Sequence, residues 1–195
     1  MTEVAILLPA AGASSRMRGG DKLLEPVEGE PLLARQIRRA QATGARVLVT
    51  LPPDRPDRAA LCGTVESCLV PDAAQGMSGS LRAGADWAGG AALLVMLPDM
   101  PGITTDHLTA LITTFAQDPS RILRAATPDL RPGHPVIFPA ALLPGFARLH
   151  GDQGARQIIA AAPQPPRLLP LPGTAALLDL DTPEDWAAWR ATPRV

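Results

Sequence analysis

The chain has 195 residues, 46% of them hydrophobic, with a net charge of −1 and a mean hydropathy of +0.10. That length carries one domain with a sizeable core, and the composition argues against disorder. The charge balance offers no footprint for nucleic acid or an anionic membrane, and three Phe, three Trp and no Tyr make no stacking platform for single strands. No apolar stretch reaches the ~18 residues of a membrane span, and the chain opens on a strand rather than a basic leader, so the expected location is cytoplasmic. Cys62 and Cys68 stand without companions, which indicates neither a disulfide framework nor a zinc ribbon.

Val4 to Pro9 is an apolar run without alternation and reads as a strand buried on both faces. It feeds a loop, Ala10-Ala11-Gly12-Ala13-Ser14-Ser15-Arg16-Met17-Arg18-Gly19-Gly20-Asp21-Lys22. Gly12, Gly19 and Gly20 allow positive φ and close approach of backbone N–H groups to a ligand. Arg16 and Lys22 add two cations to this donor-rich segment, which suits a polyphosphate. Lys22 is the only lysine among 18 basic residues, the other 17 being arginine. A compact ammonium used as a point charge on phosphate explains its presence there. The plain alternative is a glycine-containing strand-to-helix turn. A dinucleotide fingerprint is absent, and Lys22 follows Asp21 rather than Gly, so this is not a Walker A loop.

Strand and helix patterns alternate from here on, the signature of a parallel sheet with crossover helices. Pro31 to Thr43 places Leu32, Leu33, Ile37 and Ala40 at helical spacing, with Arg35, Arg38 and Arg39 largely on the other side, Pro31 at the first position and Gly44 after the end. Arg46 to Thr50 and Val65 to Val70 read as strands around a short helix near Arg58 to Leu61. Pro71 to Gly84 is a loop of small polar residues in which Ser78 or Ser80 opens a helix to about Ala88, with exposed donors suited to a base or a phosphate. Its Gly76-Met77-Ser78-Gly79-Ser80 lacks the spacing of a nucleophile elbow.

Ala91 to Leu97 is the most hydrophobic strand and runs into Pro98-Asp99-Met100-Pro101. A carboxylate at the C-terminal end of a central parallel strand lies where open α/β sheets bind ligands, and the flanking prolines stiffen its backbone. Asp99 is therefore the candidate ligand for a hard cation such as Mg²⁺, the alternative being a cap on the helix from Thr104 or Thr105 through Phe115. Ile122 to Ala126 is another strand, and Gly133-His134-Pro135-Val136-Ile137-Phe138 a further one, with His134 either functional or part of a plain turn. His150-Gly151-Asp152-Gln153-Gly154 precedes a helix from Gln153 to Ala162. Leu177 to Asp181 reads as a strand ending in a helix cap, with Thr182 at the cap, Pro183 first in the helix, and Glu184 and Asp185 suiting its dipole.

Taken together, A-A-G-x-S-x-R-M with G-G-D-K, the Gln75-Gly76 and Ser80 segment, D-M-P at Asp99, G-H-P-V-x-F at Gly133 and D-x-D-T-P-E-D at Asp179 resemble the molybdenum cofactor cytidylyltransferases, the MocA-like family within the MobA-like NTP transferase superfamily. The resemblance runs through nearly the whole chain. It implies an α/β fold: a three-layer α/β/α domain over residues 1–195 with a mainly parallel sheet, like the nucleotide-diphospho-sugar transferases. A nucleotide half (1–101) would precede an acceptor half (102–195), the latter admitting an antiparallel strand. Ala10, Ala11, Gly12, Arg16, Lys22, Gln75, Gly76, Ser80 and Asp99 would then bind the nucleotide, with Lys22, Arg16 and Asp99 catalytic. Asp99 and Asp181 would hold Mg²⁺, with Asp179 the alternative second ligand, and His134 and Asp152 would border the acceptor. The implied reaction moves CMP from CTP to the terminal phosphate of molybdopterin, with a molybdenum hydroxylase or its maturation chaperone as a further partner. Ala10-Ala11-Gly12 favours CTP, where guanylyl-transferring relatives carry A-G-G or G-G-G. A GTP-using enzyme, another phosphorylated acceptor and a non-catalytic cofactor carrier are the alternatives. Pro98 replaces the family's glycine and removes an N–H, and Pro9 also departs from the pattern.

Overall fold

A computed structural model describes residues 3–71, 76–151 and 154–192, so the expectations for Gln75 and Asp152 lie outside the described residues. Strand β1 (Val4–Pro9) takes the centre because it can be buried on both faces. It carries parallel neighbours on each side: β4 (Val47–Leu51) opposite, with Ile6 level with Val47, and β6 (Ala92–Val95), with Ile6 level with Leu94. Beyond β4 lies parallel β5 (Glu66–Leu69); beyond β6 lies β8 (Pro132–Phe138), the antiparallel member, then β7 (Leu123–Ala126) and parallel β9 (Arg167–Pro170). The expected mainly parallel sheet with one reversed strand in the second half is what the chain forms.

Alternation along β1 divides the core. Val4, Ile6 and Leu8 pack on one face with Leu33 and Ile37 of α1 (Leu32–Gln41) and Leu108, Leu111 and Phe115 of α4 (Thr105–Gln117). Ala5 and Leu7 pack on the other with Leu81 of α3 (Ser78–Ala88) and with Leu143 and Phe146 of a 3₁₀ helix, Ala140–Arg148. A Cβ at Gly84 would lie 2.5 Å from Leu7 and one at Gly79 2.6 Å from Val70, so α3 lies closer to the sheet than a larger residue allows. A third cluster, Met17, Val27, Leu32, Leu180 and Trp186, fastens α6 (Pro183–Ala191) to the loop after β1 and to the small hairpin of β2 (Pro26–Val27) and β3 (Glu30–Pro31).

Three elements differ from their sequence patterns. Leu177 to Asp181 is not a strand: Leu177 and Leu178 donate to Thr174 O, and Leu180 donates to Asp99 O, so these N–H groups are spent on a turn and on the Asp99 backbone rather than on a ladder. The helix of the first crossover starts at Leu32, with Pro31 at its cap position. The helix before β9 is also shorter than its pattern, a single stretch, α5 (Arg156–Ala160). Thr182 does cap α6 as expected, accepting from Asp185 N while the Asp185 carboxylate accepts from Thr182 N.

Strand order reverses at β1, with β4 on one side and β6 on the other. The loops leaving the C-terminal ends of β1 and β6 therefore face one crevice, the usual ligand position in open α/β sheets.

Candidate active site

Positive φ in the loop after β1 falls on Ser14, Arg18 and Gly19, not on Gly12 or Gly20. Gly12 serves otherwise: a Cβ there would meet nothing within 4 Å, and the residue lines a cleft of ≈ 500 Å³. Ala10 is wholly buried, its N–H donating to Thr50 O and its carbonyl accepting from Arg58. Ala10 and Ala11 thus shape the loop base, while Gly12, Ala13, Arg16 and Lys22 face the cleft.

The loop is held from beneath by Arg58, which the short helix α2 (Pro56–Ala60) delivers into the interior. Its guanidinium forks onto Asp21 and also donates to Ala10 O, Gly12 O and Ser14 Oγ. Burial opposes the Asp21 charge, but Arg58, the Leu23 N–H and Ser14 more than offset it and hold the carboxyl below its usual range. Asp21 is thereby fixed immediately before Lys22.

Lys22 Nζ lies 2.5 Å from Asp99 Oδ2 and 2.6 Å from Asp181 Oδ1, and Arg16 Nη1 is 2.8 Å from the other Asp181 oxygen. Burial disfavours the ammonium, but the two carboxylates, Asp99 first, outweigh it and hold its pKa above the ordinary value. Lys22 is charged at every physiological pH. The second oxygen, Asp99 Oδ1, is buried and has no hydrogen-bond partner among the described residues. Such an orphaned carboxylate oxygen beside a cleft is costly unless something occupies it.

The turn carrying Asp99 is clamped from α1. Gln36, fully buried, donates to Met100 O at 2.7 Å, and Arg39 donates to Pro101 O and Ile103 O at 2.8 and 2.6 Å. Burial, then the neighbouring Arg35, lowers the Arg39 pKa to about 10. Arg39 thus leaves the polar face that helical spacing assigns it, while Arg35 and Arg38 stay on that face, paired with Glu28 and Glu30. Asp99 does not cap α4. Thr104 does, accepting from His107 N while His107 Nδ1 accepts from Thr104 N.

Gly76, Ser80, Pro98, Asp179 and Asp181 complete the cleft, Ser80 being nearly fully buried at the start of α3. Asp179 is shared with a second cavity of ≈ 420 Å³ against β8 and α5, to which Met77 and Leu97 also contribute. Burial, reinforced by the Asp181 and Asp99 charges, pushes the Asp179 carboxyl up. His134 lies in the second cavity with Arg124 and Arg156, away from Lys22. Of the expected nucleotide residues that are described, Gly12, Arg16, Lys22, Gly76, Ser80 and Asp99 line the first cleft while Ala10 and Ala11 lie buried outside its lining, and the expected acceptor residue His134 lines the second cavity. Sequence patterns gave no sign of Arg58, Gln36, Arg39, Arg124 or Arg156, because a buried arginine and a surface one have the same letter and the same spacing.

Among the described residues no group of three or more His, Cys, Asp or Glu is gathered for a metal, and no helix is long and apolar enough to cross a membrane. Both cysteines are free, with thiol pKa values pushed up by burial.

Residues 5–167 match the model of the MobA-like NTP transferase domain, and the chain belongs to that family. The Purine catabolism protein PucB of Bacillus subtilis is 28% identical over 195 residues, covering 91% of each chain. The crystal structure of Rv0371c from Mycobacterium tuberculosis superposes with a TM-score of 0.83 at 25% identity over 98% of this chain and 99% of that one; the manganese complex of Rv0371c gives 0.77 at 22%, over 98% and 100%. CMP:2-keto-3-deoxy-manno-octonic acid synthetase complexed with CTP shares the fold, with a TM-score of 0.78 at 15% identity over 97% of this chain and 98% of that one. Family and fold together make the chain a nucleotidyltransferase.

Proposed function

We propose that the chain transfers CMP from CTP to the terminal phosphate of molybdopterin, in its molybdenum-loaded form, with release of pyrophosphate. The observation that carries this reading is the cluster of Lys22, Arg16, Asp99 and Asp181 in the first cleft, which shares Met77, Leu97 and Asp179 with the second cavity. A nucleotide in the first cavity and a phosphorylated acceptor in the second would meet there. The motif resemblance supplies the acceptor and the base; the A-A-G triplet supports CTP over GTP. The name of the B. subtilis relative places that protein in purine catabolism and specifies no acceptor.

The donor set fits a hard divalent cation, Mg²⁺ or Mn²⁺. Asp99 and Asp181 face the cleft together with Asp179, Asp99 has an unpartnered buried oxygen, and Mg²⁺ characteristically takes one or two carboxylates plus substrate phosphates rather than a full protein cage. Asp99 and Asp181 would hold it, and the bound ion would supply charge neutralisation on phosphate oxygens. Rv0371c itself has been crystallised with manganese.

The chain's own residues do the rest. Lys22 and Arg16, released from the carboxylates they pair with in the free protein, turn their charges to the triphosphate. Lys22 is the better placed for charge that grows in the transition state, because it is mostly buried and its loop is fixed from below by Arg58. Gly12 leaves room for the nucleotide against the loop backbone. An acceptor phosphate is mostly ionised near neutral pH, so no strong general base is needed, and catalysis is in-line positioning with electrostatic stabilisation. The halves 1–101 and 102–195 would divide these tasks only in the main, since Asp179 and Asp181 of the second half line the nucleotide cleft and Leu81, Val95 and Met100 of the first line the other cavity.

The reading is tested by following label from α-³²P-CTP. Transfer to molybdenum-loaded molybdopterin, with none from γ-³²P-CTP, supports it. Retention of the α-label in CTP, with tight cofactor binding, would make the protein a carrier.

A further inference from the structure

The second cavity has a charge pattern that the reaction at Lys22 does not explain. Arg124 on β7 and Arg156 at the start of α5 both line it, and among the described residues neither has a carboxylate within salt-bridge distance. Among the described residues ten ion pairs occupy eight other arginines and Lys22; of the arginines left without one, Arg124 and Arg156 are the two that share a cavity. Arg124 spends Nε and Nη2 on a single acceptor, Gly133 O, at 3.3 and 3.2 Å, and this aims the remaining end of the fork without neutralising it. Burial, and then the Arg156 charge, pulls the Arg124 pKa down. His134 adds no charge, because burial and then the Arg124 charge push it down to about 4. Its Nδ1 is buried without a hydrogen-bond partner.

The rest of the wall is mostly apolar, with Leu81, Val95, Met100, Val136, Phe138 and Ile159 prominent, and Asp179, shared with the first cleft, is its carboxylate among the described residues. Its floor is rigid. His134 N donates to Ala176 O at 2.8 Å, and a Cβ on Gly133 would fall 1.9 Å from that same oxygen, so only glycine lets β8 lie against this turn. Two guanidiniums with no ion-pair partner among the described residues, on a largely apolar cavity that Asp179 also borders, describe a site for an amphipathic anion.

We propose that Arg124 and Arg156 form an anchoring site for an anionic group on the body of the acceptor, apart from the phosphate that reacts at Lys22, with His134 Nδ1 hydrogen-bonding beside it. This rests on the reading of the second cavity as the acceptor's. The acceptor is thereby assigned a class: a molecule with a phosphate at one end, an apolar body that fits ≈ 420 Å³, and a second anionic or strongly electron-rich group. Anchoring raises affinity without touching the reacting atoms, so its loss belongs in the acceptor KM.

Two measurements on the full chain test the site. In Arg156→Gln and Arg124→Gln, KM for molybdenum-loaded molybdopterin rises on the order of ten-fold or more, as for a lost charged hydrogen bond, while KM for CTP and kcat stay within about three-fold. An unchanged acceptor KM, or a fall in kcat alone, overturns the anchoring role. The second measurement needs neither substrate. In an Arg16→Ala, Lys22→Ala background, where the first cleft has lost its cations, inorganic phosphate binding by calorimetry persists and disappears when Arg156→Gln is added. Arg156 is exposed, so that variant leaves the fold intact, as circular dichroism checks. Absence of residual phosphate binding, or its survival in the triple variant, overturns the site. If wild-type protein ignores molybdopterin while the phosphate result holds, the proposed acceptor falls and the anion site stands.

Discussion

Arg58 and Asp21, 37 residues apart, form a buried two-point ion pair, Nε to Oδ2 at 2.7 Å and Nη2 to Oδ1 at 2.8 Å. Their side chains are 0% and 5% exposed. The remaining donors of Arg58 go to Ala10 O, Gly12 O and Ser14 Oγ, so one side chain gathers the start, middle and end of the loop that presents Lys22.

Removing one partner of such a pair leaves a buried charge uncompensated, which typically costs about 3–5 kcal/mol. Arg58→Ala and Asp21→Asn are expected to lower stability in urea unfolding by an amount of that order, and Arg58→Lys, which cannot form the fork, by a smaller one. The double variant Arg58→Met, Asp21→Leu should lose less than the sum of the single changes, because neither charge is then stranded. Strict additivity would contradict the pairing.

Lys22→Ala is expected to lower turnover on the order of 10² or more, as removal of a preorganised donor does. Lys22→Arg should recover part of this, having the charge but a different shape. The comparison is made by initial rates at saturating nucleotide. Near-normal turnover in the alanine variant would remove Lys22 from the chemistry.

Asp99→Asn is expected to fold normally and to lose metal-dependent nucleotide binding, read as the disappearance of the Mg²⁺ response in a nucleotide titration. Asp181→Asn should weaken the same response and also free Arg16, its partner in the resting protein. A magnesium titration identical to wild type in both variants would count against the metal role.

His134 predicts a pH dependence of stability. Its ordinary value is 6.5, and burial, then the Arg124 charge, lowers it to about 4 in the folded chain. Between these values the unfolded chain binds a proton that the folded chain does not. The His134 contribution to stability therefore rises with pH across that window and is lost as pH falls from 6.5 toward 4. The loss approaches about 1 kcal/mol per pH unit. His134→Gln should flatten the unfolding free energy over the same range; equal slopes in the two proteins would show that His134 is not the group responsible.

How far the letters carried the structure depended on the kind of feature. The unbroken apolar run of β1 and the hydrophobic Ala91 to Leu97 stretch were legible because period and burial coincide, and the positions of Lys22, Arg16 and Asp99 followed from motifs at strand ends. Leu177 to Asp181 was not legible as a turn. Its leucines alternate with aspartates as a half-buried strand would, and only the tertiary bond from Leu180 N to Asp99 O decides otherwise. Strand β9 is four residues, closed by prolines, and has no pattern of its own. Arg58, Gln36 and Arg39 were invisible for a different reason: each is polar by type and acts by entering the interior to satisfy loop carbonyls, which no periodicity records.

The central claim is tested most directly by pyrophosphate release from CTP and GTP in competition, with molybdenum-loaded molybdopterin and Mg²⁺ present. Acceptor-dependent release with CTP consumed in preference is the expected result. Preferential use of GTP would contradict the base assignment, and no release from either nucleotide, while a control nucleotidyltransferase reacts, would contradict the assignment of this acceptor.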